Sequence, residues 1–552
     1  MKSRRWTLGV AVAASLATMG AGLMPAAAQA SARESGAPGR TAPRVTYYTG
    51  TRGVTHLLPR SAHPTGTPSA VQVISKGARL LPSGHFSPTE AVPSAPALAG
   101  PATTTTPLAN FNGVSSRDSQ FTNYQQKFEP PDQGLCKGNG FVLEPVNSAY
   151  RIYTTTGRSL RGPFNLNDLF NVGGQEFTSD PRCWYDPTTQ TWFATNVFLN
   201  DRFNGSATLI AVRHSKNPLG LWNQYQIRTT DIANGCPCFA DQPRIGIDQT
   251  NLYITDDEFS ITGPQFLGSE IWAFNKAELV AGATKLHFVR FPYLRIAGHL
   301  VTTAPQPALS NGTPNAEYFL QSLDFDGQGA HRIAVWAMTN RDQVAAGGMP
   351  TLSNVIINSE SYANPPGAPQ KGASSLLNSG DDRMQQTASI NGTTWGELTT
   401  AVQPAGDSQV RSGGAWFQVR PAIGSRGITG AQMVRQGYID AVGQYVIYPA
   451  VQPDAAGNAA AIFTLTSKSR FPSAAFAILK APQTAFGPPA VAAPGSGPYD
   501  PKATRWGDYS FAVPDDTSDS AWMATEYMPP KSSQTTTGQR NWGTRVLEIP
   551  LG

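Results

Sequence analysis

The chain has 552 residues, and its 14% of charged residues lies well below the roughly 25% of an average soluble protein. The formal net charge of +5 arises from the N-terminal part, which carries +8 over residues 1–110. Residues 1–30 carry three basic groups, and residues 31–110 carry seven Lys and Arg against two acids, so residues 111–552 have a net charge of −3. This balance excludes the basic surface of a nucleic-acid-binding protein, while 53 glycines and 45 prolines are typical of a turn-rich all-β chain.

The first 30 residues predict a cleaved secretory signal peptide. Three basic residues precede an apolar stretch over 8–25, and Ala28-Gln29-Ala30 offers a small-residue cleavage site. The adjacent Arg4 and Arg5 fit an ordinary signal peptide and a twin-arginine export signal equally well. No later segment approaches the roughly 18 apolar residues of a spanning helix. We therefore expect a secreted protein without a membrane span.

Residues 31–110 are predicted to form a flexible, mostly irregular arm or a pro-segment. Pro, Ala, Ser and Thr dominate this segment. Such a composition cannot bury enough apolar surface to offset the entropy lost on ordering. Two short stretches could pair as strands, VTYYTG (45–50) and VQVISKG (71–77). The folded domain is expected to span 111–552.

An acidic residue and an arginine recur before successive strand-like segments. The recurrences are Asp180-Pro181-Arg182, Asp241-Gln242-Pro243-Arg244, Asp381-Asp382-Arg383 and Arg505-Trp506-Gly507-Asp508. Runs of alternating apolar residues follow, separated by Gly, Pro, Asn and Asp turns, as expected for β-strands. The second segment contains four such runs, RCWYD, TWFATNVF, ATLIAVRH and LWNQYQIR. Four antiparallel strands per repeat predict the blades of a β-propeller.

The spacing of this phrase predicts seven blades, opening near residues 132, 180, 241, 305, 381, 443 and 505. Six blades is the alternative, if the 381–443 region forms one irregular blade. The last repeat contains three clear strands. We expect a strand from about 111–128 to complete it and close the ring, because closure removes exposed strand edges.

Four segments carry a resemblance to a known group of proteins: PPDQGLCKGNGFVLEPVNSAYRIY, DPRCWYD, CPCFADQPRIGID and RWGDYSFAVPDD. They resemble a group of uncharacterised secreted bacterial proteins with a sialidase-like β-propeller fold. The resemblance covers about residues 128–550. It implies the fold and leaves the activity open, because the group has no established activity.

The four cysteines fit an exported protein. Cys136 and Cys183 occupy matching places in adjacent repeats, so we expect a disulfide between them. Cys236 and Cys238 would then form a tight second bridge. A redox-active or metal-binding Cys-Pro-Cys is the alternative, but two ligands are too few for a typical zinc site. We expect a structural clamp and no metal at these cysteines.

The recurring charged residues are the candidate ligand-binding residues. They are Arg182, Arg244, Arg383 and Arg505, with Asp180, Asp241 and Asp381. Blade-opening loops surround the axis of a propeller, so these side chains could converge on one funnel. Arginine forks there would suit an acidic sugar. The alternative is that each Asp/Arg pair ties its own blade to the next, and the recurrence of the pair favours this structural role.

A sialidase-like hydrolase is the enzymatic alternative. Enzymes of that kind use an arginine triad, a tyrosine nucleophile assisted by a glutamate, and an aspartate. The resemblance would assign these catalytic roles to Asp508, Glu526 and Tyr527. Two departures weigh against it. The segment at 150–153 only approximates the Phe-Arg-Ile-Pro signature, and the segment at 389–395 is one residue too short for an Asp box.

The sequence therefore predicts a secreted, monomeric β-propeller that binds an extracellular glycan or protein. The alternative is a glycoside hydrolase or lyase acting on an acidic glycan. No cofactor is expected. Ca²⁺ held by Asp256-Asp257-Glu258 or by the turn at 324–327 is a lesser alternative, because acidic turns in exposed loops are usually just solvated.

Overall fold

The structure, a computed structural model, describes residues 44–58, 92–95, 105–122, 128–173, 176–200, 204–231, 236–261, 265–310, 312–499 and 505–552. The predicted signal peptide and the stretch 71–77 lie outside these residues. Within them, no helix is both long and apolar enough to cross a membrane.

Strands dominate the part of the chain that the structure describes. The strands are β1 (Thr46–Tyr48), β2 (Thr51–His56), β3 (Ala109–Ser115), β4 (Cys136–Gly138), β5 (Phe141–Pro145), β6 (Ala149–Thr154), β7 (Ser159–Asn165), β8 (Phe177–Asp186), β9 (Thr191–Leu199), β10 (Ser206–His214), β11 (Asn223–Arg228), β12 (Cys238–Ile247), β13 (Asn251–Ser260), β14 (Phe266–Asn275), β15 (Lys285–Phe291), β16 (Arg295–Ile296), β17 (His299–Leu300), β18 (Gln306–Ser310), β19 (Glu317–Ser322), β20 (Ala330–Thr339), β21 (Thr351–Tyr362), β22 (Met384–Ile390), β23 (Thr393–Val402), β24 (Arg411–Gly424), β25 (Gly427–Ile439), β26 (Tyr445–Pro453), β27 (Ala459–Ser467), β28 (Arg470–Leu479), β29 (Ala490–Ala493), β30 (Phe511–Pro514), β31 (Ser520–Tyr527) and β32 (Gly543–Pro550). The α-helices are short: α1 (Ser116–Thr122), α2 (Leu166–Phe170) and α3 (Lys276–Ala281).

Antiparallel pairing collects most of these strands into groups of four. Groups 1 to 7, in chain order, are β4–β7, β8–β11, β12–β15, β18–β21, β22–β25, β26–β29, and β30–β32 with β3. The chain is an all-β protein with the β-propeller fold. The first strand of each group begins within six residues of a predicted blade opening.

The first strands of groups 3, 4 and 5 lie side by side. β12 meets β18 in parallel at Ile247–Leu309, and β18 meets β22 over Ala308–Ser310. These parallel contacts are those of neighbouring inner strands around an axis, and they join the three groups into one 14-stranded sheet. The number of separate blades therefore stays a prediction.

Group 7 is completed by a strand from the N-terminal side of the domain. β3 pairs with β32 from Ala109–Glu548 to Ser115–Gly543. This confirms that the closing strand comes from the start of the domain, although β3 begins two residues before the expected range of 111–128. The ends of the ring are thus held by backbone hydrogen bonds between segments more than 400 residues apart.

Glu144 on β5 ties this closure to group 1. Its buried carboxyl accepts hydrogen bonds from the Val114 N–H (2.8 Å), the Tyr153 hydroxyl (3.2 Å) and the Thr544 hydroxyl (2.5 Å). Gly113 makes the approach possible, because a Cβ at this position would lie 2.5 Å from both Glu144 carboxyl oxygens. One side chain therefore joins β3, β5, β6 and β32.

Two segments of the N-terminal arm are strands rather than irregular chain. β1 pairs with β21 at the edge of group 4, and β2 pairs with β15 at the edge of group 3. β1 lies in the first of the two stretches for which the sequence allowed pairing. The physical reason is that β15 and β21 are outer strands whose free N–H and C=O groups an extended segment can satisfy.

Aromatic side chains and one disulfide hold neighbouring groups together. The fully buried tryptophans are Trp192, Trp336, Trp395, Trp416, Trp506, Trp522 and Trp542. Cys136 on β4 and Cys183 on β8 form a bridge between groups 1 and 2 with a Cα–Cα distance of 5.5 Å, which confirms the predicted pairing. Cys236 and Cys238 form the second bridge.

Candidate functional site: the axial cluster

Strained backbone recurs where the first strands begin. Four non-glycine residues have a positive φ there: Asp132 (44°), Asp180 (59°), Gln242 (49°) and Tyr448 (52°). The last three lie at register shifts of β8, β12 and β26. Such conformations cost about 1–3 kcal/mol each and cluster at functional sites. The bulges turn polar side chains off the strands, in line with the known effect of bulges on side-chain direction.

Three aspartates from distant parts of the chain meet near these bulges. One carboxylate oxygen each from Asp132, Asp180 and Asp508 lies within 4.8 Å of the others, and all three residues are buried. Asp132 accepts a hydrogen bond from the Asp508 N–H (2.8 Å). Asn147 donates to Asp132 (2.7 Å) and accepts from the Asp180 N–H (2.6 Å). Groups 1, 2 and 7 therefore converge here.

Three of the four predicted arginines are paired with aspartates of their own group. Arg244 contacts Asp257 (2.9 Å), and Arg505 contacts Asp508. Arg383 holds Asp381 bidentately, through Nε–Oδ1 (2.8 Å) and Nη2–Oδ2 (2.7 Å). Arg383 and Arg505 thus pair with an aspartate of their own phrase, whereas the aspartate that Arg244 contacts lies outside its phrase.

The pairs are nevertheless joined across groups. The Gln242 side-chain oxygen accepts from Arg244 Nη2 (3.1 Å) and from Arg383 Nη1 (3.0 Å). Arg383 Nη1 also lies 3.8 Å from an Asp257 oxygen. We use the name axial cluster for Asp132, Asp180, Arg182, Arg244, Asp257, Asp381, Arg383, Arg505 and Asp508.

Arg182 differs from the other arginines, because it stacks on an aromatic ring of another group. Its guanidinium carbon lies 3.3 Å from the centre of the Tyr509 ring and 5.3 Å from that of Phe511. Within the described ranges, its Nε and Nη1 have no hydrogen-bond partner. Burial lowers the pKa of Arg182, Arg244 lowers it further, and Tyr509 and Asp180 oppose the change. Its environment is thus shared between groups 2 and 7.

Two carboxyls in this region have pKa values that are shifted in opposite directions. Burial raises the pKa of Glu526 well above its ordinary value, and Asp132 and Asp508 add to the effect while Arg505 opposes it. Burial acts in the same direction on Asp381, but the Arg383 guanidinium outweighs it and holds the pKa of Asp381 below its ordinary value. The pKa values of Glu526 and Asp381 are therefore shifted in opposite directions.

Three side chains of the cluster, here called its exposed edge, are partly accessible to solvent. The side chain of Arg383 is 14% exposed, and those of Asp381 and Arg505 are each 11% exposed, whereas Arg244 is 1% exposed. This edge is where a ligand could contact the cluster without unfolding of the domain.

The predicted pair of Glu526 and Tyr527 does not form a catalytic unit. Adjacent strand residues point to opposite faces, and the Tyr527 hydroxyl donates to the Asn112 side chain, away from the axial cluster. Burial raises the pKa of Tyr448 well above its ordinary value, and Asp508 and Glu526 add to the effect. Asp241 lies at the β12 bulge, where it is only partly buried and faces Asp257 in the strand register.

Asp132 and Asp257 belong to the axial cluster but were not among the candidate ligand-binding residues of the sequence. Asp132 opens the first repeat, as the other aspartates open theirs, but it lacks the arginine that made the phrase visible.

Asp257 belongs to a run of three acids. The expectation that this run is a solvated turn is wrong, because it lies within the buried strand β13. Asp324 does cap a turn, through the Gln328 and Gly329 N–H groups.

Comparison with known proteins supplies similarity of fold. No protein-family model matches the sequence, and no curated protein matches it. Among solved structures, the chain is similar to the α-L-arabinofuranosidase Arb93A from Fusarium graminearum, with 8% identity over 81% of this chain and 98% of that chain and a TM-score of 0.33. It is similar to the Bacillus subtilis arabinanase Arb43A, with 9% identity, coverage of 60% and 88%, and a TM-score of 0.26. It is also similar to Drosophila Plexin A in complex with Semaphorin 1b, with 10% identity, coverage of 82% and 88%, and a TM-score of 0.36. No residue role is carried over from these structures.

Proposed function

We propose that the protein is a secreted β-propeller that binds an extracellular glycan at the solvent-exposed edge of the axial cluster. This proposal rests on one observation. Guanidinium groups and carboxylates from groups 2, 3, 5 and 7 form one polar cluster with a partly exposed edge. Guanidinium groups donate hydrogen bonds and carboxylates accept them. An Arg/Asp pair can therefore bind a sugar hydroxyl both as acceptor and as donor.

The charge of the cluster favours a neutral sugar over an acidic one. Its four arginines face five aspartates, so the cluster has no surplus positive charge with which to attract an anion. At Arg244, Arg383 and Arg505, a sugar carboxylate would have to displace an aspartate. The proposed neutral sugar differs from the acidic sugar that the sequence suggested. The sequence showed the arginines but not the aspartates that pair with them.

Replacing Arg383 by Ala is expected to weaken glycan binding by roughly 10- to 100-fold, because charge-assisted hydrogen bonds contribute about 1.5–3 kcal/mol. The measurement is a glycan array with the mature chain, followed by titration of the best ligand. Asp381→Asn keeps the shape of the site and should weaken binding as well.

Arg426→Ala is the matched control, since Arg426 is exposed in group 5 and distant in sequence from the cluster. Equal binding by Arg383→Ala and Arg426→Ala would contradict the proposed site. Selective capture of acidic glycans would contradict the preference for neutral sugars.

A second candidate function, glycoside hydrolysis, is favoured by two buried carboxyls whose pKa values are shifted in opposite directions, that of Glu526 upward and that of Asp381 downward. Glycosidases combine a protonated carboxyl with an ionised one. If the protein hydrolyses fluorogenic glycosides, Glu526→Gln should lower kcat by roughly 10²- to 10⁴-fold. Glu360→Gln, at an exposed residue, is the control. Absence of turnover by the unmodified chain on neutral pyranosides and furanosides would leave binding as the function.

A further inference from the structure

A second group of acids lies inside group 3, outside the axial cluster. Asp256 and Glu258 are on β13, and Glu270 on β14 lies directly opposite Asp256 in the strand register. Side-chain oxygens of the three residues lie within 4.8 Å of one another. The residues are 0%, 3% and 1% exposed. Like charges directly opposite each other in a sheet are destabilising, so this arrangement requires compensation.

Of these three carboxylates, only that of Glu270 is stabilised by a cationic side chain and by a hydrogen bond from an indole. Glu270 accepts from Arg290 Nε (2.5 Å) and from the Trp272 indole N–H (2.8 Å). In the described part of the chain, no N–H group and no hydroxyl donates to Asp256 or Glu258, and both carboxyls contact the carboxyl of Glu270 instead. With Arg290 as the paired guanidinium, the three ionised carboxylates would leave two uncompensated negative charges. One oxygen each of Asp256 and Glu258 thus lies beside a Glu270 oxygen in one buried region.

We propose that Asp256, Glu258 and Glu270 bind a Ca²⁺ ion between β13 and β14. The three carboxylates and Arg290 have a residual charge of −2, which a divalent cation would neutralise, and an ion there would be a partner for the clustered oxygens of Asp256 and Glu258. Calcium accepts several carboxylates in flexible geometry, whereas Mg²⁺ keeps much of its water shell, which suits a buried site less well.

The Cys236–Cys238 bridge lies beside this site. A sulfur of each cysteine is within 4.8 Å of a Glu258 oxygen. Disulfide sulfurs are poor ligands for a hard cation, so we assign the bridge the role of a cover over Glu258. The alternative to a cation is that protons neutralise the acids, because burial next to Glu270 raises the pKa of both Asp256 and Glu258.

Terbium luminescence distinguishes the cation from protons. Trp272 contacts Glu270, so excitation of tryptophan should sensitise Tb³⁺ bound at this site in the full, EGTA-stripped chain. Added Ca²⁺ should quench the emission by competition. In parallel, Ca²⁺ at 100 times its Kd should raise the Tm by about 3 °C for a domain of this size.

The deciding variant is Asp256→Asn, with Glu258→Gln as a second variant of unchanged shape. Both should abolish the Ca²⁺-dependent rise in Tm and the competed Tb³⁺ emission, and both should raise the Tm in EGTA because they relieve charge repulsion. Trp272→Phe should lose the emission and keep the rise in Tm. Asp324→Asn, in the acidic turn, should keep both responses. A Tm insensitive to Ca²⁺, or an equal Ca²⁺ response in Asp256→Asn, would overturn the proposal in favour of protonated acids.

Discussion

Replacing Glu144 by Ala is expected to lower the free energy of unfolding by roughly 3–5 kcal/mol. The substitution removes the acceptor of the Val114 N–H and of two hydroxyls and leaves a cavity at the junction of β3, β5 and β32. The Thr544 hydroxyl can turn to the Val114 carbonyl (2.9 Å), but the Val114 N–H has no such alternative and stays buried. Denaturant unfolding of the variant and the unmodified chain measures the difference. A loss below about 1 kcal/mol would show that β3 closes the ring without Glu144.

Glu144→Gln separates the hydrogen bonds from the charge. Burial raises the pKa of Glu144 from 4.5 to about 7, against the opposing effects of Thr544, Val114, Tyr153 and Arg151. Between these pH values the folded chain holds a proton that the unfolded chain has released. This contribution to stability is complete below about pH 4.5 and is lost as the pH rises through about 7. The stability of the unmodified chain relative to Glu144→Gln should therefore fall by about 3 kcal/mol between pH 4 and pH 8.5. A pH-independent difference would contradict the raised pKa.

Removing the Cys136–Cys183 bridge should have an effect of similar size. The two cysteines are 47 residues apart, and closing a loop of that length is expected to stabilise the fold by about 4 kcal/mol through the unfolded state. We expect the Cys136→Ala/Cys183→Ala variant to unfold at a correspondingly lower denaturant concentration. Alanine is chosen because both side chains are fully buried.

The second disulfide provides the internal comparison. Cys236 and Cys238 are two positions apart, so the loop that they close is very short and their removal should cost only roughly 1.5 kcal/mol by the same relation. Equal losses for the two double variants would show that loop length is not the source of the stabilisation.

Much of the fold could be predicted from the sequence because it depends on local repetition. Alternating apolar residues between turn residues specify half-buried strands, and the recurring Asp/Arg phrase marks where each first strand begins. The pairing of Cys136 with Cys183 followed from their equivalent places in neighbouring repeats. The strands of the N-terminal arm were only partly foreseen, because an edge strand depends on which outer edges are left free elsewhere in the molecule.

The candidate site depended on contacts that sequence spacing does not encode. The recurrence of Asp and Arg favoured pairs that tie each blade to the next. Arg383 and Arg505 pair within their phrase, whereas Arg244 contacts Asp257 outside it. The stacking of Arg182 on Tyr509 joins residues 327 positions apart and has no local pattern. The sequence also placed Tyr527 beside Glu526, whereas alternation along β31 turns the two side chains to opposite faces.

By itself, the sequence determined the all-β class, the length of the repeat, the first disulfide and the positions of most charged residues in the axial cluster. These features are local or periodic, so hydrophobic alternation and spacing suffice to specify them. Only the tertiary structure decided that Asp132, Asp180 and Asp508 meet, that Gln242 links Arg244 to Arg383, and that Asp256 and Glu258 are buried beside Glu270. The physical reason is that burial and charge pairing depend on which strands become neighbours when the ring closes.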